Sequence, residues 1–228
     1  MARILATALM AGCIAGLFFF AVQSAKLTPL ILAAEVYEDA AAHGHGAAGH
    51  DHDAAAWQPA PGLERIAYTA LADVIIGCGF ALVLVSAFAF RGVAVDAGQG
   101  LLWGIAGYVV FALAPALGLP PELPGSLSAE LLARQTWWVG TAAATASGLA
   151  LIAFARRPAW KAVGAAIMVF PHVIGAPHPH EIGGAVPPEL AAEFTAASLA
   201  TTALFWCALG LLSGGLYGGQ WGRGALQR

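Results

Sequence analysis

The sequence predicts an all-α integral membrane protein, a six-helix transmembrane bundle that forms one transmembrane domain over residues 1–228. Three observations predict it. Of the 228 residues, 59% are hydrophobic and only 10% charged, whereas an ordinary soluble domain carries roughly a quarter charged residues. The mean hydropathy is +0.74. Six apolar stretches also approach the ~20 residues that cover the hydrocarbon core, where a chain must satisfy its own backbone hydrogen bonds and so becomes helical. A net charge of -3 with no basic cluster excludes a nucleic-acid-binding surface. The apolar content excludes a disordered chain.

The first span is expected over about residues 4–22. Arg3 before an apolar run has the outline of a secretory signal. The run exceeds a signal core of ~7–15 residues, and Gln23 interrupts the small-x-small pattern before Ala25. An uncleaved helix is therefore expected; cleavage would leave five spans in the same orientation. The remaining spans are expected over about 68–90, 101–117, 137–155, 160–174 (a short one) and 196–217. With the N-terminus inside, Arg3, Arg91, Arg156, Arg157, Lys161, Arg223 and Arg228 are cytoplasmic, and Lys26, Arg65 and Arg134 are outside. Seven against three predicts both termini inside.

The spans carry small-xxx-small pairs that allow close backbone approach: Gly12 and Gly16, Gly100 and Gly104, Gly210 and Gly214, Gly215 and Gly219. Trp57, Tyr68, Trp137, Trp138, Trp160 and Tyr217 suit interfacial anchors. Cys13, Cys78 and Cys207 are scattered in apolar runs, with no CxxC metal or redox spacing and no disulfide framework. Pro120-Pro121-Glu122-Leu123 recurs as Pro187-Pro188-Glu189-Leu190, each copy in an outer loop. Pro115 and Pro171 interrupt the third and fifth spans near their outer ends. Paired proline-broken segments point to a binding site in transporters.

The chemistry concentrates on the outer side. The stretch 26–62 is read as an external His/Asp-rich loop, carrying His43-Gly44-His45 and His50-Asp51-His52-Asp53. In an extended segment residues two apart face the same way, so each His-x-His offers two imidazoles to one ion, and Asp51 and Asp53 add oxygens. Imidazole suits zinc, copper, nickel and cobalt. A second group is Pro171-His172 with Pro177-His178-Pro179-His180-Glu181, where proline stiffens the His178/His180 pair. Asp73 lies within the second span, where ionisable groups are expensive and mark function. Glu122, at the mouth of the third span, is placed to approach His172 and Asp73. The metal ligands expected are thus His43, His45, His50, Asp51, His52, Asp53, Asp73, Glu122, His172, His178 and His180.

At these residues the chain resembles the family of probable cobalt transporter subunits called CbtA, along essentially its whole length. The resemblance rests on the glycine-containing first helix, the histidine-rich loop, the stretch Ala116-Leu117-Gly118-Leu119-Pro120-Pro121-Glu122-Leu123-Pro124-Gly125, Arg134-Gln135-Thr136-Trp137-Trp138, and Pro171-His172 with Gly175-Ala176-Pro177. It implies cobalt uptake across a bacterial cytoplasmic membrane that feeds cobalamin synthesis. It also implies a small single-span partner, CbtB, whose histidines face the metal path.

The resulting expectation is a multi-pass inner-membrane protein that conducts a divalent ion inward and is not an enzyme. It contacts lipid, binds no nucleic acid and is compatible with a homo-oligomer. No cofactor is permanently bound; the metal is cargo. Ligand chemistry alone does not separate Co2+ from Ni2+ or Zn2+; cobalt comes from the resemblance. No GxxxxGK[ST] loop is present to power export with nucleotide. The alternative is a non-transporting metal-binding scaffold or sensor that delivers metal to another transporter.

Overall fold

The computed structural model describes residues 2–44, 59–179 and 183–225, and the described elements are all helices. In chain order they are α1 (Ala2–Lys26), α2 (Thr28–Gly44), α3 (Leu63–Arg91), α4 (Ala97–Tyr108), a π turn (Val109–Leu113), α5 (Ala114–Ala116), α6 (Leu131–Phe154), α7 (Pro158–Ile174) and α8 (Pro188–Ala225). Five are long and apolar enough to cross a membrane: Ala2–Lys26, Leu63–Arg91, Ala97–Ala116, Leu131–Phe154 and Pro188–Gly219. The expected fifth span is α7, an apolar helix of 17 residues. At ~1.5 Å per residue it reaches about 25 Å, short of a hydrocarbon core of about 30 Å.

Local chemistry sets the ends. Gly92 takes the left-handed conformation (φ 66°) that stops α3. The Asp96 carboxylate accepts from the Gln99 N–H at 2.8 Å and starts α4. Pro115 has no N–H to give its turn; just before it, the Ala114 N–H reaches back five residues to the Val109 carbonyl, which widens the helix into the π turn.

One element is a correction. The stretch beginning at residue 26 was expected to be loop, yet 28–44 are helical. α2 almost continues α1: the Leu27 N–H bonds the Gln23 carbonyl at 2.7 Å, and the Ile31 N–H bonds the Leu27 carbonyl at 3.0 Å. Leu27 and Ala34 are buried with Leu123 and Phe194, and Leu190 and Val186 pack on them. Alanine-rich Thr28–Gly44 has good intrinsic helix propensity, and this second cluster stabilises its helix.

The helices pack as three antiparallel pairs, α1 with α3, α4 (through α5) with α8, and α6 with α7, while α1 against α8 joins the first two. The glycine pairs find one another. A Cβ added at Gly12 would lie 2.6 Å from the Cys78 nitrogen, and one at Gly16 would lie 2.6 Å from the Asp73 carbonyl oxygen. One at Gly100 would lie 2.7 Å from the Gly214 Cα. Gly148 and Gly164 make the same kind of crossing between α6 and α7. Gly215 and Gly219 face no such crossing. Between the pairs sits a core of Phe88, Val85, Trp206 and Leu209, with Phe111 stacked on Trp206 at 5.7 Å between centroids. Large apolar side chains such as Met10, Leu17, Ile75, Leu102 and Val139 point outward, the surface of a bundle solvated by lipid rather than water.

Candidate functional site

Asp73 is buried, 4% exposed, on the α3 face that meets α1. Its carboxylate accepts a short hydrogen bond from the Gln23 side-chain amide. The approach of Gly16 to the Asp73 backbone lets the two helices close around it. Among the described residues no cation pairs with this carboxylate. An ionisable group buried within a span is costly to insert and marks a functional position. Asp73 therefore faces a helix interface and does not snorkel to the membrane surface.

Glu122 is engaged elsewhere. It accepts from the Ser128 hydroxyl at 2.5 Å and from the Arg134 guanidinium at 2.9 Å. The ion pair stands at a cleft of about 760 Å³ between the α5 end, α6 and α8, with Gln135, Trp138, Ser198 and Thr202 in its walls. Arg134 Nε and Ser198 Oγ are buried without a partner, so this cleft holds polar valence beyond its own ion pair.

The two proline-glutamate copies converge at this end. Leu123 of the first and Leu190 of the second join the α2 cluster. The Thr195 hydroxyl bonds the Pro121 carbonyl at 3.0 Å, and Ser126 bridges Gly184. The copies differ in form: 120–123 is irregular, whereas Pro188 opens α8.

His172 is half-buried in the last turn of α7. Its ring meets Trp137 of α6 edge-on at 5.8 Å, and the Trp137 indole N–H donates to the Pro171 carbonyl at 3.3 Å. His178 is exposed. A cleft of about 570 Å³ runs beside them, between Glu130, Thr136, Trp137 and Gly175-Ala176-Pro177. Glu130 is committed to capping α6: its carboxylate accepts from the Leu132 and Ala133 N–H groups at 2.8 and 2.7 Å, and these bonds hold its pKa below the ordinary carboxylate value.

The structure thus gives Asp73, Glu122 and His172 separate partners, and no group of three or more His, Cys, Asp or Glu able to hold a metal exists among the described residues. Glu122 pairs with Arg134, twelve residues on, in place of the expected approach to His172 and Asp73. His45, His50, Asp51, His52, Asp53 and His180 lie outside the described residues. The backbone of His43 ends α2 in helical form rather than the extended form on which the His-x-His reading relied.

Two groupings escaped the sequence. Cys13 and Cys78, 65 residues apart, bring their sulfurs within 3.7 Å. Arg65 donates two hydrogen bonds to Glu35, tying α3 to α2. Gly12 beside Cys13 and Gly77 beside Cys78 were the available signal for the first; nothing in the sequence marked the second.

Five bilayer-length apolar helices, glycine-lined crossings and an outward apolar surface define a multi-pass helical membrane protein. Residues 1–218 match the family model described as "Probable cobalt transporter subunit (CbtA)", and the chain belongs to that family. No curated protein and no solved structure matches it.

Proposed function

We propose that the chain is the membrane subunit through which cobalt enters the cytoplasm of a bacterium, supplying cobalamin synthesis. The observation that carries this reading is the family match over residues 1–218. His43, His45, His50, His52, Asp51 and Asp53 gather the ion at the outer face; His172, His178, His180, Glu122 and Asp73 draw it into the bundle. The buried Asp73 carboxylate, which accepts from Gln23 and pairs with no cation among the described residues, supports the inner step. At Glu122 the ion has to displace Arg134. A divalent cation gains about 4.6 kcal/mol per 100 mV on moving to a negative interior, twice the ~2.3 kcal/mol for one charge, so inward movement needs no nucleotide.

The family description calls its members subunits, which supports a partner that completes the path, a single-span CbtB-like subunit. Proteoliposomes holding the chain with that partner are expected to take up radiolabelled cobalt under a negative-inside potential. Asp73→Asn and His172→Ala are each expected to lower the rate at least tenfold. Equal flux in all three proteins would refute the assignment of Asp73 and His172. Binding without flux in every combination would favour the scaffold reading.

A further inference from the structure

We propose that Cys13 and Cys78 form a two-thiolate site for a thiophilic divalent metal ion between α1 and α3. The choice of cobalt as its probe rests on the uptake reading; the site itself rests on geometry.

The sulfurs stand 3.7 Å apart. In a tetrahedral site with metal–sulfur bonds of about 2.3 Å, two sulfur ligands lie about 3.8 Å apart. The pair therefore already occupies two corners of such a site. The backbones fix this spacing. Gly12 and Gly77, the residues next to each cysteine, form the tightest crossing of α1 and α3, with no room for a Cβ at either. Neither helix rotates there without moving the other.

The Cys78 thiol also donates to the Leu9 carbonyl at 3.8 Å, which directs its sulfur toward α1. Both thiols are only half-buried, so the pair is not sealed inside the bundle. Asp73 lies five residues before Cys78 on the same helix, about 7.5 Å along its axis, and a Cβ at Gly16 would meet its carbonyl on the same crossing. A carboxylate and a thiol pair thus follow one another down one interface.

Charge also fits the surroundings. Each thiol gives up its proton to water as its metal–sulfur bond forms, and nothing is oxidised or reduced. Two thiolates and one divalent ion sum to zero, so the complex avoids the penalty of burying net charge in a low-dielectric medium. Soft thiolate sulfur holds borderline ions such as cobalt and zinc and excludes the hard ions magnesium and calcium.

The full chain, purified in detergent under reducing conditions and titrated with Co2+ alone, tests the site. A near-ultraviolet thiolate-to-cobalt band is expected that saturates at one ion per chain. It should fall at least tenfold in Cys13→Ser and in Cys78→Ser and persist in Cys207→Ser. In the unmodified chain, Co2+ should slow maleimide alkylation of Cys13 and Cys78 and leave Cys207 unchanged, a readout that needs no variant to fold. Absence of the band, its survival in the Cys13→Ser/Cys78→Ser double variant, or equal alkylation with and without Co2+ would overturn the proposal. The band with no vesicle uptake would support this site and overturn the uptake reading.

Discussion

Glu35 and Arg65 show how one residue is read differently alone and in place. Arg65 looks like an isolated outer charge in the sequence, but its guanidinium grips Glu35 in a fork with contacts of 2.5 and 3.2 Å. The hydrogen bonds from Arg65 hold the Glu35 carboxyl below its ordinary range against the opposing effect of burial. A lowered pKa means the folded state holds the proton less tightly than the unfolded one. The pair therefore stabilises above the ordinary carboxylate value of about 4.3, and the contribution is lost as pH falls through the lowered folded value. Both side chains are more than a third exposed, so water limits the worth to roughly 0.2–1 kcal/mol. Thermal unfolding of Glu35→Gln against the parent chain should show a gap at about pH 7 that shrinks as pH falls below the ordinary carboxylate value of about 4.3. A gap independent of pH would contradict the ion pair.

At the scale of elements, α4 and α8 meet through Gly100, Gly104, Gly210 and Gly214 without side chains between them. In lipid there is little hydrophobic force between helices, so such backbone approach and its dispersion contacts hold the pair. Gly100→Ile is expected to destabilise by at least 1–3 kcal/mol, the usual range of about one overpacked site, because its Cβ alone would sit 2.7 Å from the Gly214 Cα. Gly79 on α3 has open space around it, and Gly79→Ala should leave stability unchanged or raise it by no more than about 1 kcal/mol. Thermal denaturation in detergent compares the two; equal losses would deny that the crossing is the site of the effect.

For the whole molecule, the antiparallel pairs bring the ends of α3 and α6 and the starts of α4 and α7 to one end of the bundle, so that Arg91, Arg156, Arg157 and Lys161 flank it. By the positive-inside tendency that end is expected to face the cytoplasm. In a chain whose native cysteines are replaced by serine, a membrane-impermeant maleimide added to intact cells should label a cysteine placed at Asp51 or His178 and spare one placed at Arg156. Labelling of Arg156→Cys alone would invert the orientation and reverse which face receives the ion.

Much of the architecture is legible in the sequence. Apolar run length and the scarcity of charge determine lipid-spanning helices one segment at a time, since each span must satisfy its own backbone within the hydrocarbon. The Pro115 break and the close-packing glycines are local for the same reason. What only the tertiary structure decided is which spans touch. Pairing set Asp73 against Gln23, gave Glu122 to Arg134, joined Cys13 to Cys78 and folded 28–44 onto Leu123 and Phe194 as a helix. Those contacts link residues at least 12 positions apart, and hydropathy carries no information about distance between segments; side-chain shape and charge settle it once the helices are in the bilayer.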